Sequence, residues 1–256
     1  MTIYHENIND GALTVTTGTP DTNFPITNLN NTNKNIFFKD TAIGALEIDF
    51  EILFTENRTI DYIVLGNYIA TGVVGVALGL EYYDGSWNGI FSGDVITSAT
   101  LNDFRKHFTE NTGHLRFRVT FVGTGASNLT DIQVGNIYLG SRLALTTSPE
   151  IDTIENRGYK VNVSEGAGGQ RFGQIANTTV RRNWQYNLKY VTEAEKTKLE
   201  TMSGNVFSGD NLSLHPAWFS PNDDGTIFLG RTLGRLNFNQ IAFQRYETPL
   251  IFDEEL

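Results

Sequence analysis

The residues of this chain that could carry chemistry are four histidines, several carboxylates, two glycine-containing loops and one aromatic turn. A hydrolase or transferase needs a nucleophile held beside a base. His5, His107, His114 and His215 lie in no Gly-x-Ser-x-Gly or His-Glu-x-x-His context. His107 and His114 stand seven residues apart across a turn-like stretch, and structural or solvent-facing roles are expected for both. Paired acids can hydrolyse a glycosidic bond, and Glu47, Asp49, Glu81 and Asp84 are the candidates. Glu47 and Asp49, however, alternate with apolar residues along a strand, the pattern that solvates one sheet face. Gly166-Ala167-Gly168-Gly169-Gln170 resembles a phosphate loop but lacks the Gly-Lys-Ser/Thr that grips phosphate, and it precedes a strand rather than a helix. Ser220-Pro221-Asn222-Asp223-Asp224-Gly225 resembles part of a calcium loop. Such a site needs about 6–8 oxygens and a downstream bidentate Glu, which is missing at the right spacing. No catalytic residue, cofactor or metal ligand is therefore expected.

The turn Tyr82-Tyr83-Asp84-Gly85-Ser86-Trp87-Asn88-Gly89 offers different chemistry. Exposed aromatic rings stack on sugar rings, and Asp or Asn side chains bond hydroxyls. Tyr83, Asp84, Trp87 and Asn88 are the candidate sugar contacts. A tryptophan after a turn also folds back onto a core or meets another subunit, and both roles stay open for Trp87.

The 256 residues allow one large β domain or two ordinary ones. With 39% hydrophobic and 12% aromatic residues there is material for a packed core, which argues against disorder. Only 19% of residues are charged, and the net charge is −10. That sign repels phosphate backbones and anionic lipid, so neither nucleic acid nor membrane is an expected partner. The absence of cysteine excludes disulfides, zinc–thiolate sites and cysteine nucleophiles. The opening Met1-Thr2-Ile3-Tyr4-His5-Glu6 shows neither a basic nor an apolar signal region, so synthesis in the cytoplasm is expected.

Short alternating strands fill the first half. Ala45 to Ile52 alternates apolar with acidic, Thr59 to Gly66 follows a turn at Glu56-Asn57-Arg58, and His114 to Val122 alternates again. In the second half, strand-like Trp184 to Tyr190 leads into a helix predicted at about 193–203. Thr192 and Glu195 form its capping box, Ala194, Lys198, Leu199 and Met202 recur on helical spacing, and Gly204 stops it. The expected fold is all-β: a jelly-roll β-sandwich at 1–140, a linker at 141–158, and at 159–256 a small β-barrel or sandwich with one flanking helix.

The first part, over Phe24-Pro25-Ile26-Thr27-Asn28-Leu29, Leu46 to Phe50, Ile60 to Tyr68, Arg116 to Val119 and Ile137 to Gly140, resembles the galactose-binding-like jelly roll. That family's buried lead-in Trp is replaced here by Phe37-Phe38-Lys39-Asp40. The whole arrangement is similar to minor and distal tail proteins of long-tailed bacteriophages. The stretches that carry this likeness are Val180 to Glu195 and Tyr246 to Leu256. The resemblance implies a virion structural protein of the tail tip or baseplate. It would act by forming a ring-like homo-oligomer and by contacting tube, hub or fibre proteins. Arg181, Arg182, Trp184, Leu250 and Phe252 are the candidate subunit contacts, with core packing the rival role for Trp184 and Phe252. The alternative reading is a carbohydrate-binding receptor-recognition module that takes a host surface glycan.

Overall fold

In the computed structural model the chain divides into two compact units, Glu6–Arg142 and Met1–His5 with Leu143–Leu256. The residues described are 1–6, 8, 11–31, 33, 35–41, 44–145, 154–158, 161–165, 171–175, 181–206, 217–220, 226–232 and 236–254. The Gly166 loop and residues 221–225, whose likeness to a phosphate loop and a calcium loop is incomplete, lie outside them. Among the described residues the chain is all-β with one α-helix, as its patterning predicts.

Strand β1 (Thr2–Tyr4) belongs to the second unit. The first unit holds β2 (Ala12–Thr17), β3 (Phe38–Asp40), β4 (Glu47–Gly72), β5 (Val76–Tyr83), β6 (Trp87–Val95), β7 (Ser98–Gly123), β8 (Leu129–Val134) and β9 (Asn136–Gly140). Two strands of 26 residues each, β4 and β7, run antiparallel through the unit. The turn expected at Glu56-Asn57-Arg58 is not one. The register shifts between Leu53 and Arg58 and again between Arg58 and Ile60, so the polar residues are absorbed as irregularities and the strand continues. Bulged strands of this length bend, and each can serve both layers of a sandwich. The first half of β4 pairs with β2 and β7, and the second half also pairs with β8 and β9.

Alternation decides which side chains enter the core. Ile48, Phe50, Ile52 and Phe54 are buried, and so are Phe117, Val119 and Phe121 opposite them. They pack in one cluster with Leu78 and Leu80 of β5 and Ile63 and Leu65 of the second half of β4. Phe50 stands 6.0 Å from Phe121, and Phe54 stands 5.9 Å edge-on to Phe117. Each such side chain contributes roughly 1.5–3 kcal/mol by leaving water. The residues between them, Glu47, Glu51, Arg116 and Arg118, therefore face outward together.

The second unit contains β10 (Leu143–Ala144), β11 (Ile154–Gly158), β12 (Val161–Glu165), β13 (Arg171–Ile175), β14 (Arg181–Thr192), α1 (Glu193–Val206), β15 (Ala217–Ser220), β16 (Phe228–Thr232), β17 (Asn239–Ala242) and β18 (Arg245–Glu254). Its sheet runs β10-β1-β15-β16-β18-β14-β11, with β17 added on β18 and β12 paired with β13 as a separate ribbon. Among the described residues this sheet does not close into a barrel. Aromatic packing holds its core: Phe219 stacks on Phe252 at 4.2 Å, and Trp184 meets Phe219 at 4.9 Å.

Helix α1 begins at the expected box. The Glu195 carboxylate accepts from the Thr192 backbone N–H and hydroxyl, both at 2.9 Å, and the Glu195 N–H donates back to the Thr192 hydroxyl at 3.2 Å. The buried face differs from the spacing read in the sequence. Val191, Glu195 and Leu199 are buried, whereas Ala194 and Lys198 are exposed. The capping contact draws Glu195 inward and sets that face. Glu195→Ala is expected to lower the stability of the second unit by about 1 kcal/mol, read as a lower urea midpoint, with Glu195→Gln retaining most of it.

Candidate functional site

The β5–β6 hairpin and the outward face of β7 and β4 build one continuous platform. Asp84 to Ser86 make the turn, with Gly85 at φ 73°, a conformation that suits glycine. The turn places Trp87 directly across from Tyr83. Their rings meet edge-to-face at 5.3 Å. In register, Glu51 of β4, Arg118 of β7 and Glu81 of β5 lie side by side across three strands.

These charges are paired. Arg116 Nε donates to Glu51 Oε2 at 2.7 Å, and a second nitrogen of the same guanidinium also bonds that oxygen. Arg118 Nε donates to Glu81 Oε2 at 2.6 Å, and its Nη2 joins the same carboxylate. Both guanidinium groups also lie by the Trp87 ring, Arg118 at 4.5 Å and Arg116 at 5.2 Å from its centre, and Arg116 is 4.9 Å from the Tyr83 ring. Guanidinium planes near an aromatic face are attracted by its quadrupole. The rings and charges therefore hold each other in place, and Arg116 and Tyr83 keep more than a third of their surface open.

The platform brings together only part of the expected sugar-contact set. Tyr83 and Trp87 are on it. Asn88 pairs with Tyr82, one step along the pleat, and its amide donates to the Ser86 carbonyl at 2.9 Å. Asp84 is exposed in the turn, where its N–H donates to the Ser86 carbonyl. Arg116, Arg118, Glu51 and Glu81 were not singled out as binding residues from the sequence. Alternation within each strand put Arg116 with Arg118, but the cross-strand pairing that joins them to Glu51 spans 65 residues and leaves no local signal.

Asp49, two residues before Glu51, sits under this face. It is 4% exposed, and its Oδ1 has no hydrogen-bond partner among the described residues. Burial, then the negative charge of Glu47 and a hydrogen bond shared with it, raise the carboxyl to about 7, against the opposing pull of Arg118 and Thr17. Its Oδ2 is 4.0 Å from Arg118 Nη1.

The candidate subunit contacts fall elsewhere. Trp184, Leu250 and Phe252 are buried within the core of the second unit. Arg182 donates its N–H to Glu254 at 3.1 Å, pairs with it by side chain, and lies 4.9 Å over Phe228. The Arg181 side chain lies outside the described residues; its backbone pairs with Gly158. Among the described residues no three His, Asp or Glu side chains converge as a metal site.

No protein-family model matches the sequence, and no curated protein matches it. Solved structures that match part of the chain include chitosan-binding module 1 of a chitosanase/glucanase from Paenibacillus sp. IK-5, at 13% identity and TM-score 0.41, covering 54% of this chain and 100% of that one. CpGH89CBM32-5 from Clostridium perfringens, in complex with GalNAc-β-1,3-galactose, matches at 11% identity and TM-score 0.41 over 54% of this chain and 99% of that one. SpGH29 matches at 17% identity and TM-score 0.42 over 54% of this chain, which spans 28% of the length of SpGH29. At these identities nothing about binding transfers from those proteins to this chain.

The raised Asp49 carboxyl has a definite consequence for stability. The folded unit holds this proton more tightly than the unfolded chain, where aspartate titrates near 3.8. The proton's stabilising contribution is full below that unfolded value and fades as pH rises toward about 7. Asp49→Asn should remove this term, so the wild-type minus variant difference in unfolding free energy should decline between about pH 4 and 7 and flatten above. A difference independent of pH would contradict the assignment.

Proposed function

We propose that this protein is a non-catalytic carbohydrate-binding module whose contact face is the platform of Tyr83, Trp87, Arg116, Arg118, Glu51 and Glu81. The observation that carries this reading is the meeting of two aromatic rings with two carboxylate-paired guanidinium groups on one outward face. A sugar presents apolar C–H faces and hydroxyls that both donate and accept. The rings suit the first, and planar Arg and carboxylate groups held in fixed positions suit the second. Each arginine is balanced by its own carboxylate, so the pairs themselves are neutral and favour a hydroxyl-rich ligand over a simple anion. A host surface glycan is the partner this reading implies. On a glycan array, Trp87→Ala should weaken the strongest signal by about 10-fold or more while the variant stays folded, as read by a cooperative melting transition. An unaltered array profile in that variant would sink the reading.

A second reading, assembly as a structural component of a bacteriophage tail tip or baseplate, is supported by the second unit. Tyr190, Ile241 and Phe243 are 61%, 40% and 85% exposed near one end of the β14-β18-β17 array. Large exposed apolar side chains gathered in one region mark a protein-binding surface. The expected behaviour is a concentration-dependent rise in mass by light scattering that Phe243→Asp abolishes. A wild-type mass fixed at one chain throughout the series would count against self-assembly through this end.

A further inference from the structure

The platform has a built-in lever at Arg118. The sheet order β4-β7-β5-β6 puts Asp49 on one side of Arg118, and Glu81 and Trp87 on the other. In the structure the guanidinium sits with Glu81 and the Trp87 ring and stops 4.0 Å short of Asp49 Oδ2. An ionised carboxylate that is buried and short of hydrogen bonds is costly, and a donor already 4.0 Å away supplies the cheapest relief. The other groups around Asp49 cannot supply that charge. Glu47 and Glu51 on its own strand are acids, and Thr17 of β2 and Thr120 of β7 are neutral. Arg116 is engaged by Glu51. Glu81 beyond Arg118 competes for the same guanidinium.

We propose that Asp49 is the positioning residue of the platform: on ionising it draws the Arg118 guanidinium away from Glu81 and Trp87, so that the platform has a proton-bound form with Arg118 on the tryptophan and a proton-free form with Arg118 on Asp49. Asp49 would touch no ligand and would act through Arg118. The value of about 7 for its carboxyl puts the changeover near neutral pH. The expected weakening of glycan binding as pH rises rests on the carbohydrate reading above; the movement of Arg118 does not.

The test follows the indole N–H signal of Trp87 by NMR on the full chain. The chain has three tryptophans, and the Trp87 signal is the one lost in Trp87→Phe. Between about pH 5.5 and 8.5 the wild-type signal should shift with a single midpoint near 7. In Asp49→Asn it should stay at the low-pH position throughout. The His114 ring lies 4.1 Å from that of Tyr82, beside the platform, so His114→Gln is the control and should keep the midpoint. A signal that does not move, one that moves equally in Asp49→Asn, or one whose midpoint disappears in His114→Gln would each overturn the proposal. If the titration is seen as expected but the array shows no glycan bound at any pH, the positioning role of Asp49 stands and the carbohydrate reading falls.

Discussion

The antiparallel pairing of β4 with β7 is the constraint on which the first unit depends. It joins residues far apart in sequence, such as Glu47 with Val122 and Ile63 with Lys106, and it does so across several register shifts. Every other strand of that unit that meets this pair takes its position from one of the two. β2, β8 and β9 are set by β4, and β5 is set by β7. The outward charges are placed by the same pairing. A slip of one residue would send Glu51 and Arg118 into the core and Phe50 and Val119 into water. The apolar face thus enforces the register that the polar face needs.

Long-range pairing also bears on folding. Contacts between residues about 65 positions apart require large loops to close before they stabilise anything, which is the regime of slow folding. The β5–β6 hairpin is the local exception, since its two strands are joined by the short Asp84–Ser86 turn. The aromatic pair of the platform can therefore meet early, while its charged partners wait for β4 and β7.

The sequence disclosed what depends on near neighbours. Alternation in Ala45 to Ile52 and His114 to Val122 gave strands and their faces. Thr192 and Glu195 gave the start of the helix, because a capping box closes within one turn. What depends on distant partners was hidden. The break expected at Glu56-Asn57-Arg58 was overridden by tertiary pairing on both sides of it. The enclosure of Trp184, Leu250 and Phe252 follows from β18 lying between β14 and β16. Of the candidate platform, the hairpin rings were legible and their ionic companions were not. The acids of β4 read as plain solvation, and two of them prove different in kind: Glu51 holds an arginine, and Asp49 is almost wholly buried.

Because one strand carries core letters and platform letters in alternate positions, the two sets are free to vary separately. The exposed outward residues of these strands, such as Tyr83 and Arg116, contribute little to the packed interior, so they can be exchanged while Phe50, Phe117 and Val119 stay as they are. A lineage that keeps this frame can thus rewrite a handful of outward positions, and descendants sharing one architecture would then share little recognisable surface.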